Sequence, residues 1–219
     1  TQKNKDNLKK ISLFDNRVWP FLIVSAFFGI CNAALVQTSS FYFQDVIEPN
    51  STNFIALASV GFMLTALGIL NGQLLIADRL QTSPGSLIRL GILFIFFSLI
   101  GVANSTSLVH IYISLFFYGL GGGMLGPGIS ASLSLSVGKE NQGSASGFLG
   151  MVIPVGHVIS PIISMPLYTI NPSYPYLLGS FLMLFCLIFV LSNKRHKWIR
   201  KKNYRKDYKA YTEEPSELP

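Results

Sequence analysis

Six long and almost uncharged apolar stretches restrict the possible folds of this 219-residue chain more than any other feature. They are Phe21–Phe43, Phe54–Ile76, Leu87–Ala103, Val109–Leu135, Gly143–Leu167 and Tyr176–Leu191, the last expected to begin near Pro175. A helix needs roughly 20 apolar residues to span a bilayer. The chain therefore predicts six spans, and its charged fraction of only 12% excludes a soluble or disordered protein.

The stretches favour helices over strands, because the strands of membrane barrels are short segments of alternating hydrophobicity. Here the runs are long and rich in Leu, Ile, Phe and Gly. Backbone polar groups inside lipid need internal partners, which a helix provides. We predict an all-α membrane protein with a six-span domain at residues 18–193. A basic linker at 1–17 precedes it, and a basic tail at 194–219 with a disordered end follows.

The basic residues predict the orientation of the chain. All 17 Lys and Arg lie in the N-terminal segment, in or next to the second–third and fourth–fifth connections, or in the C-terminal tail. Because cytoplasmic loops carry the excess of Lys and Arg, both termini are expected in the cytoplasm. The net charge of +7 therefore does not imply a nucleic-acid partner. The basic tail can also contact anionic membrane lipid.

The fifth stretch carries small, kinking and polar residues on one helix face. They recur every three or four positions, as Gly143, Gly147, Gly150, Pro154, His157, Pro161 and Ser164. Small residues let helices approach closely in lipid, and each proline frees the carbonyl one turn earlier. We expect this face to line protein or a polar cavity, with Pro154 and Pro161 bending the helix during a conformational change. A simple packing kink is the alternative.

Few other polar residues lie deep in the spans. His157 is the sole deep ionisable candidate, because no Asp, Glu, Lys or Arg lies there; histidine readily changes its protonation state near neutral pH. A neutral imidazole bonded to a neighbouring helix is the alternative. Asn32, Gln37 and Asn71 either contact a substrate or hydrogen-bond helices together. Tyr118 is a further candidate for substrate contact.

The fourth stretch is rich in glycine. Six glycines and Pro127 lie between Tyr118 and Ser136, although a glycine in a helix costs about 1 kcal/mol relative to alanine. This density indicates close helix approach or a moving joint.

Cys31 and Cys186 lie in apolar runs and are expected to be small buried hydrophobes. The sequence has no metal-ligand spacing, and we predict no metal and no cofactor.

Three motifs resemble those of the major facilitator superfamily of transporters. "LLIADRL" at Leu74–Leu80 is similar to the loop signature G-x-L-A-D-R-x-G-R, with Asp78 and Arg79 matching and Leu74 replacing the first glycine. "GGMLGPG", which contains Gly126 and Pro127, resembles the G-x-x-x-G-P core of the antiporter helix motif. Residues 142–163 resemble the eleventh span of drug:proton antiporters of the tetracycline-efflux type.

The resemblance covers residues 16–194 and implies the carboxy-terminal six-helix half of a transporter, with substrate bound between two halves at mid-depth. The implied function is proton-coupled efflux of a small molecule across a bacterial inner membrane. The partners would be the substrate, protons and an amino-terminal half. In such transporters the proton-carrying acid usually lies in that other half. The resemblance places Asp78 and Arg79 in a cytoplasmic gate and Gly126 and Pro127 in a moving helix.

The N-terminal Lys-rich segment, which begins at Thr1 without an initiator Met, suggests a part of a longer protein.

The residues leave two other functions open. One is a non-transporting receptor or scaffold with a transporter-like fold. The other is an intramembrane serine protease of the rhomboid type, for which Ser130 and His157 would be the catalytic pair. Ala131 occupies the position of the second glycine in that motif, and we predict no enzyme.

Overall fold

The computed structural model describes residues 11–49, 51–78 and 83–192, and for residues 75–78 the backbone alone. This part of the chain forms helices and turns without a β-strand. The long helices are α1 (Trp19–Tyr42), α2 (Phe54–Asp78), α3 (Pro84–Ala103), α4 (Leu108–Ser136), α5 (Gln142–Ile170) and α6 (Tyr174–Ser192). All six are long and apolar enough to cross a membrane. The prediction of an all-α fold with six spans is therefore confirmed.

Local sequence explains where several helices begin and end. Pro20 and Pro84 occupy the first turns of α1 and α3, where a missing backbone N–H has no cost. The side chain of Ser107 caps α4 by accepting a hydrogen bond from the backbone N–H of His110. A π-helical turn at Phe43–Ile47 extends α1, and such turns frequently lie at functional sites.

The helices pack as two groups, α2–α4 and α1 with α5, that share few direct contacts. Helix α4 lies between α2 and α3, whereas α1 packs mainly on α5. Helix α6 packs on α3 and α1 and so joins the two groups. Cys31 and Cys186 are free thiols buried within this body, as predicted. The thiol of Cys31 donates to the carbonyl oxygen of Gly179 across the α1–α6 contact at 3.5 Å.

Glycines bring α4 unusually close to both of its neighbours. A methyl group at Gly123 would overlap the carbonyl oxygen of Ile69 on α2. On the opposite side, a Cβ at Gly121 would lie 2.8 Å from the carbonyl oxygen of Gly91 on α3, and the reverse distance is also 2.8 Å. Close approach therefore accounts for much of the glycine content of α4, as in other membrane helices with small residues at their contacts.

The six helices differ in how much of their surface this body covers. Half or more of the most apolar segment is buried in α1, α3 and α4, but only 17% is buried in α2 and in α5. Long faces of α2 and α5 are thus left uncovered by the other described helices. These two helices hold five of the candidate functional residues, Asn71, Asp78, Pro154, His157 and Pro161.

Candidate functional site

We use the term open surface for the exposed faces of α2 and α5 together with the exposed turn of α4 around Gly126 and Pro127. Its polar and small members are Asn71, Gln73, Gly126, Pro127, Gly143, Gly147, Gly150, Pro154 and His157. Apolar side chains such as Val158, which is 72% exposed, border them. The open surface therefore mixes groups suited to lipid with groups that hydrocarbon disfavours.

The small-residue stripe predicted on α5 belongs mostly to this surface. A Cβ at Gly143, Gly147 or Gly150 would have no neighbour within 4 Å among the described residues. Pro154 is exposed and Pro161 is partly buried, while α5 stays helical through both from Gln142 to Ile170. The stripe thus points away from the other five helices along most of its length.

The close contact between α5 and α1 uses other residues, which were not predicted from the sequence. A Cβ at Gly156 would lie 2.7 Å from the carbonyl carbon of Gly29. One turn later, the hydroxyl of Ser160 donates to the carbonyl oxygen of Ile30 at 3.2 Å. Gly156 and Ser160 lie four residues apart and so share a helix face, which Ser164, the last member of the predicted stripe, continues. That small-residue face was the signal available in the sequence.

His157 is exposed on α5, next to the α1 contact. Its Nδ1 lies 3.1 Å from the carbonyl oxygen of Ile153, one turn earlier in the same helix. A carbonyl oxygen only accepts, so Nδ1 carries the proton in this arrangement and a neutral ring keeps Nε2 as an acceptor. No hydrogen bond joins this ring to another helix within the described residues. Nε2 is thus available to an external donor.

The other predicted substrate contacts are spread over three helices. Asn71 is exposed on α2, and its Nδ2 donates to the carbonyl oxygen of Leu67 at 2.8 Å. Asn32 and Gln37 are partly buried on α1, where the Gln37 Oε1 atom lacks a partner among the described residues. Tyr118 is only 2% exposed and belongs to the hydrophobic core. Its hydroxyl likewise has no hydrogen-bond partner in the described part of the chain.

The structure describes only some of the predicted gating residues. Gly126 has no neighbour that a Cβ would meet within 4 Å in the described part of the chain, and Pro127 is exposed on α4. By contrast, a Cβ at Gly128 would lie 3.1 Å from the backbone of α3 at Ile88. Asp78 ends α2, but its side chain lies outside the described residues, as does the whole of Arg79.

A further polar contact joins the ends of α1 and α5. The hydroxyl of Tyr168 donates to Oδ2 of Asp45 at 2.9 Å, and its ring lies 6.2 Å from that of Phe41. Asp45 belongs to the π-helical turn that follows α1. This bond lies beyond the Gly29–Gly156 contact along both helices, so α1 and α5 are linked at two levels.

The residues proposed for a serine protease are not joined. No hydrogen bond connects Ser130 with His157 within the ranges that the structure describes. The same ranges contain no group of three His, Cys, Asp or Glu residues that could hold a metal ion. The polar side chains of the open surface carry amide and imidazole groups.

Comparison with known proteins gives one family. The family model described as Major Facilitator Superfamily matches this chain over residues 2–161 and again over residues 75–215. The two matched ranges overlap and together cover almost the entire chain. No curated protein matches the chain.

Proposed function

The chain belongs to the Major Facilitator Superfamily, and we propose that it forms the carboxy-terminal six-helix half of a transporter that exports a small molecule in exchange for protons. Members of this superfamily are membrane transporters of small molecules and not enzymes. The chain is accordingly an integral, multi-pass membrane protein with a transport function. The proposal goes beyond the family in the role of the chain as one half, the direction of transport, the proton coupling, the substrate class and the membrane.

The open surface is the observation that carries this proposal. A face turned entirely to lipid would not carry Asn71, Gln73 and His157 together, because polar groups in hydrocarbon are costly and commonly functional. The exposed glycines of α5 leave room for close approach by another helix. Both features fit a surface that meets a second six-helix half and an aqueous substrate path. The amino-terminal half of the same transporter is the partner that we propose.

Alternating access would then use α1 and α5 as one moving pair. The Gly156–Gly29 contact and the Ser160–Ile30 hydrogen bond hold the two helices together near mid-depth. Pro154 and Pro161 allow α5 to bend because each removes one helical hydrogen bond. His157, between these prolines, would contact the substrate or accept a proton through Nε2. Because His157 lies between the two prolines, bending of α5 would move its side chain.

The substrate class that we propose is an apolar, drug-like molecule carrying a few hydrogen-bonding groups. The open surface offers mainly apolar side chains with a small number of amide and imidazole groups, which is the composition typical of small-molecule sites. Asn32 and Gln37 would add amide groups from α1, and Tyr118 would contribute only if movement of α4 uncovered it. The membrane that we propose is a bacterial inner membrane.

The test uses the complete natural polypeptide that contains this chain, reconstituted in vesicles with an imposed proton gradient. Tetracycline and other drug-like compounds are added, and proton flux is recorded with a pH-sensitive dye. We expect His157→Ala to lower the substrate-driven flux by about tenfold, or about 1.4 kcal/mol in the barrier, and to alter its pH dependence. Ile188→Ala, at a 55% exposed position of α6 outside the open surface, is the matched control and should leave both unchanged.

Three outcomes would contradict parts of this proposal. Unchanged flux in His157→Ala would remove His157 from the mechanism. Substrate transport without proton movement would rule out proton coupling. If the tested drug-like compounds bind to the protein but none of them is transported, a receptor or scaffold with a transporter fold would be favoured.

A further inference from the structure

Residues 11–18 precede α1 and form what we call the N-terminal strap. Its two ends are anchored, because Ile11 is 7% exposed, Val18 is fully buried and both belong to the hydrophobic core. Between them the backbone makes successive turns, with Asp15 N–H donating to Ser12 O at 3.0 Å and Val18 N–H donating to Asp15 O at 2.8 Å. The strap is therefore an ordered part of the six-helix body.

The polar side chains of the strap bond to one another. Arg17 donates two hydrogen bonds to the carboxylate of Asp15, at 3.1 and 2.8 Å. These bonds and the charge of Asp15 raise the pKa of Arg17 above its usual value, so the guanidinium stays charged and locally balanced. The indole N–H of Trp19 donates to Oδ1 of Asn16 at 3.2 Å. The polar side of the strap is thus largely satisfied within itself.

The apolar side of the strap is not covered by the described residues. Phe14 is 86% exposed and the adjacent Leu13 is 41% exposed. They lie only a few residues before Trp19, whose ring is 5.6 Å from that of Phe189 at the end of α6. Aromatic residues at the ends of spanning helices are characteristic of the membrane–water interface. Phe14 and Leu13 are therefore held close to the level at which lipid headgroups begin.

We propose that the strap binds the lipid surface, with Leu13 and Phe14 inserted among the headgroups of the adjacent leaflet. Exposed apolar side chains beside basic residues are the combination that binds anionic interfaces. Lys9 and Lys10 immediately precede the strap in the sequence, although their placement lies outside the described residues. Anionic lipid therefore suits the exposed apolar side chains of the strap together with the two lysines that precede it. The inference depends on membrane insertion of the chain and is independent of proton coupling, substrate and direction of transport.

The test places a fluorescent maleimide on the strap of the whole chain, reconstituted in phosphatidylcholine vesicles with or without phosphatidylglycerol. Phe14→Cys supplies the probe site, while Cys31 and Cys186 are 2% and 0% exposed and should not react. Ser12→Cys, an exposed polar position in the same strap, is the matched control. A nitroxide attached to the lipid acyl chain near the headgroup should quench the probe at position 14 several-fold more than the probe at position 12. Aqueous iodide should show the reverse order.

A second pair of variants tests the native phenylalanine itself. A probe on Leu13→Cys is compared with the same probe in a chain that also carries Phe14→Ser. We expect the second change to reduce lipid quenching at position 13 at least twofold, and phosphatidylglycerol to increase quenching in the first chain. Equal iodide quenching at positions 12 and 14 would place the strap in water and overturn the proposal. Failure of both quenchers to reach position 14 would show a covering protein segment and would equally overturn it.

Discussion

Two serines one turn apart on α5, Ser160 and Ser164, differ in whether their hydroxyl groups are hydrogen-bonded. The hydroxyl of Ser160 donates to the carbonyl oxygen of Ile30 and so joins α5 to α1. Ser164 is 3% exposed, and its hydroxyl has no hydrogen-bond partner in the part of the chain that the structure describes. Removing a paired group leaves its partner unsatisfied, whereas removing an unpaired buried group relieves a desolvation cost.

Alanine substitutions at these two serines should therefore change stability in opposite directions. We expect Ser160→Ala to lower the free energy of unfolding by about 1 kcal/mol, and Ser164→Ala to raise it by a similar amount. Thermal unfolding of the whole chain in one detergent, followed by circular dichroism, compares the two variants directly. A loss of stability in Ser164→Ala would mean that its hydroxyl has a bonding partner in the membrane protein. Equal losses in both variants would contradict the distinction drawn from the geometry.

At the scale of the element, α4 shows that glycines in one helix serve different purposes. A Cβ at Gly121 would lie 2.8 Å from the carbonyl oxygen of Gly91, and a Cβ at Gly123 would overlap the backbone of α2. Gly126 has open space where its side chain would be, with no described atom within 4 Å. The first two positions permit helix contact, whereas Gly126 belongs to the open surface.

Alanine at Gly121 and at Gly126 should separate these purposes. We expect Gly121→Ala to destabilise the chain by about 1–3 kcal/mol, the usual cost of overpacking a rigid contact. Gly126→Ala should be neutral or stabilising by up to about 1 kcal/mol, because alanine favours the helix. Urea or thermal unfolding of both variants in the same detergent provides the measurement. Destabilisation of equal size at both positions would show that Gly126 also packs against protein.

The sequence predicted the elements better than it predicted their faces. Length and apolar content are local properties, so all six helices were predicted, and α6 begins within a residue of the expected Pro175. Which side of a helix meets its neighbour depends on residues far away in the chain. Tyr118, which is predicted to contact substrate, lies in the hydrophobic core of the described helices. The α1 contact of α5 uses Gly156 and Ser160, although the stripe containing Pro154 and His157 was the more conspicuous pattern.

At the scale of the whole molecule, the helices are covered unevenly, and the proposed function depends on this feature. Helices α1, α3 and α4 bury half or more of their most apolar segments, while α2 and α5 bury 17%. A body that leaves two helices uncovered on faces with polar groups is suited to contact a second body. The sequence did not predict this asymmetry, because α2 and α5 are as apolar in composition as their buried neighbours.

The orientation of the molecule in the membrane gives a last prediction, which depends on charge alone. Basic residues are confined to the segments expected on the cytoplasmic side, so the α1–α2 connection should face outward and the α4–α5 connection inward. Thr52 and Glu140 are exposed positions in these two connections, and both native cysteines are buried. In intact cells, a membrane-impermeant maleimide should label Thr52→Cys, and should label Glu140→Cys only after permeabilisation. The reverse pattern would invert the topology, while labelling of both variants in intact cells would contradict the alternation of spans on which the predicted orientation depends.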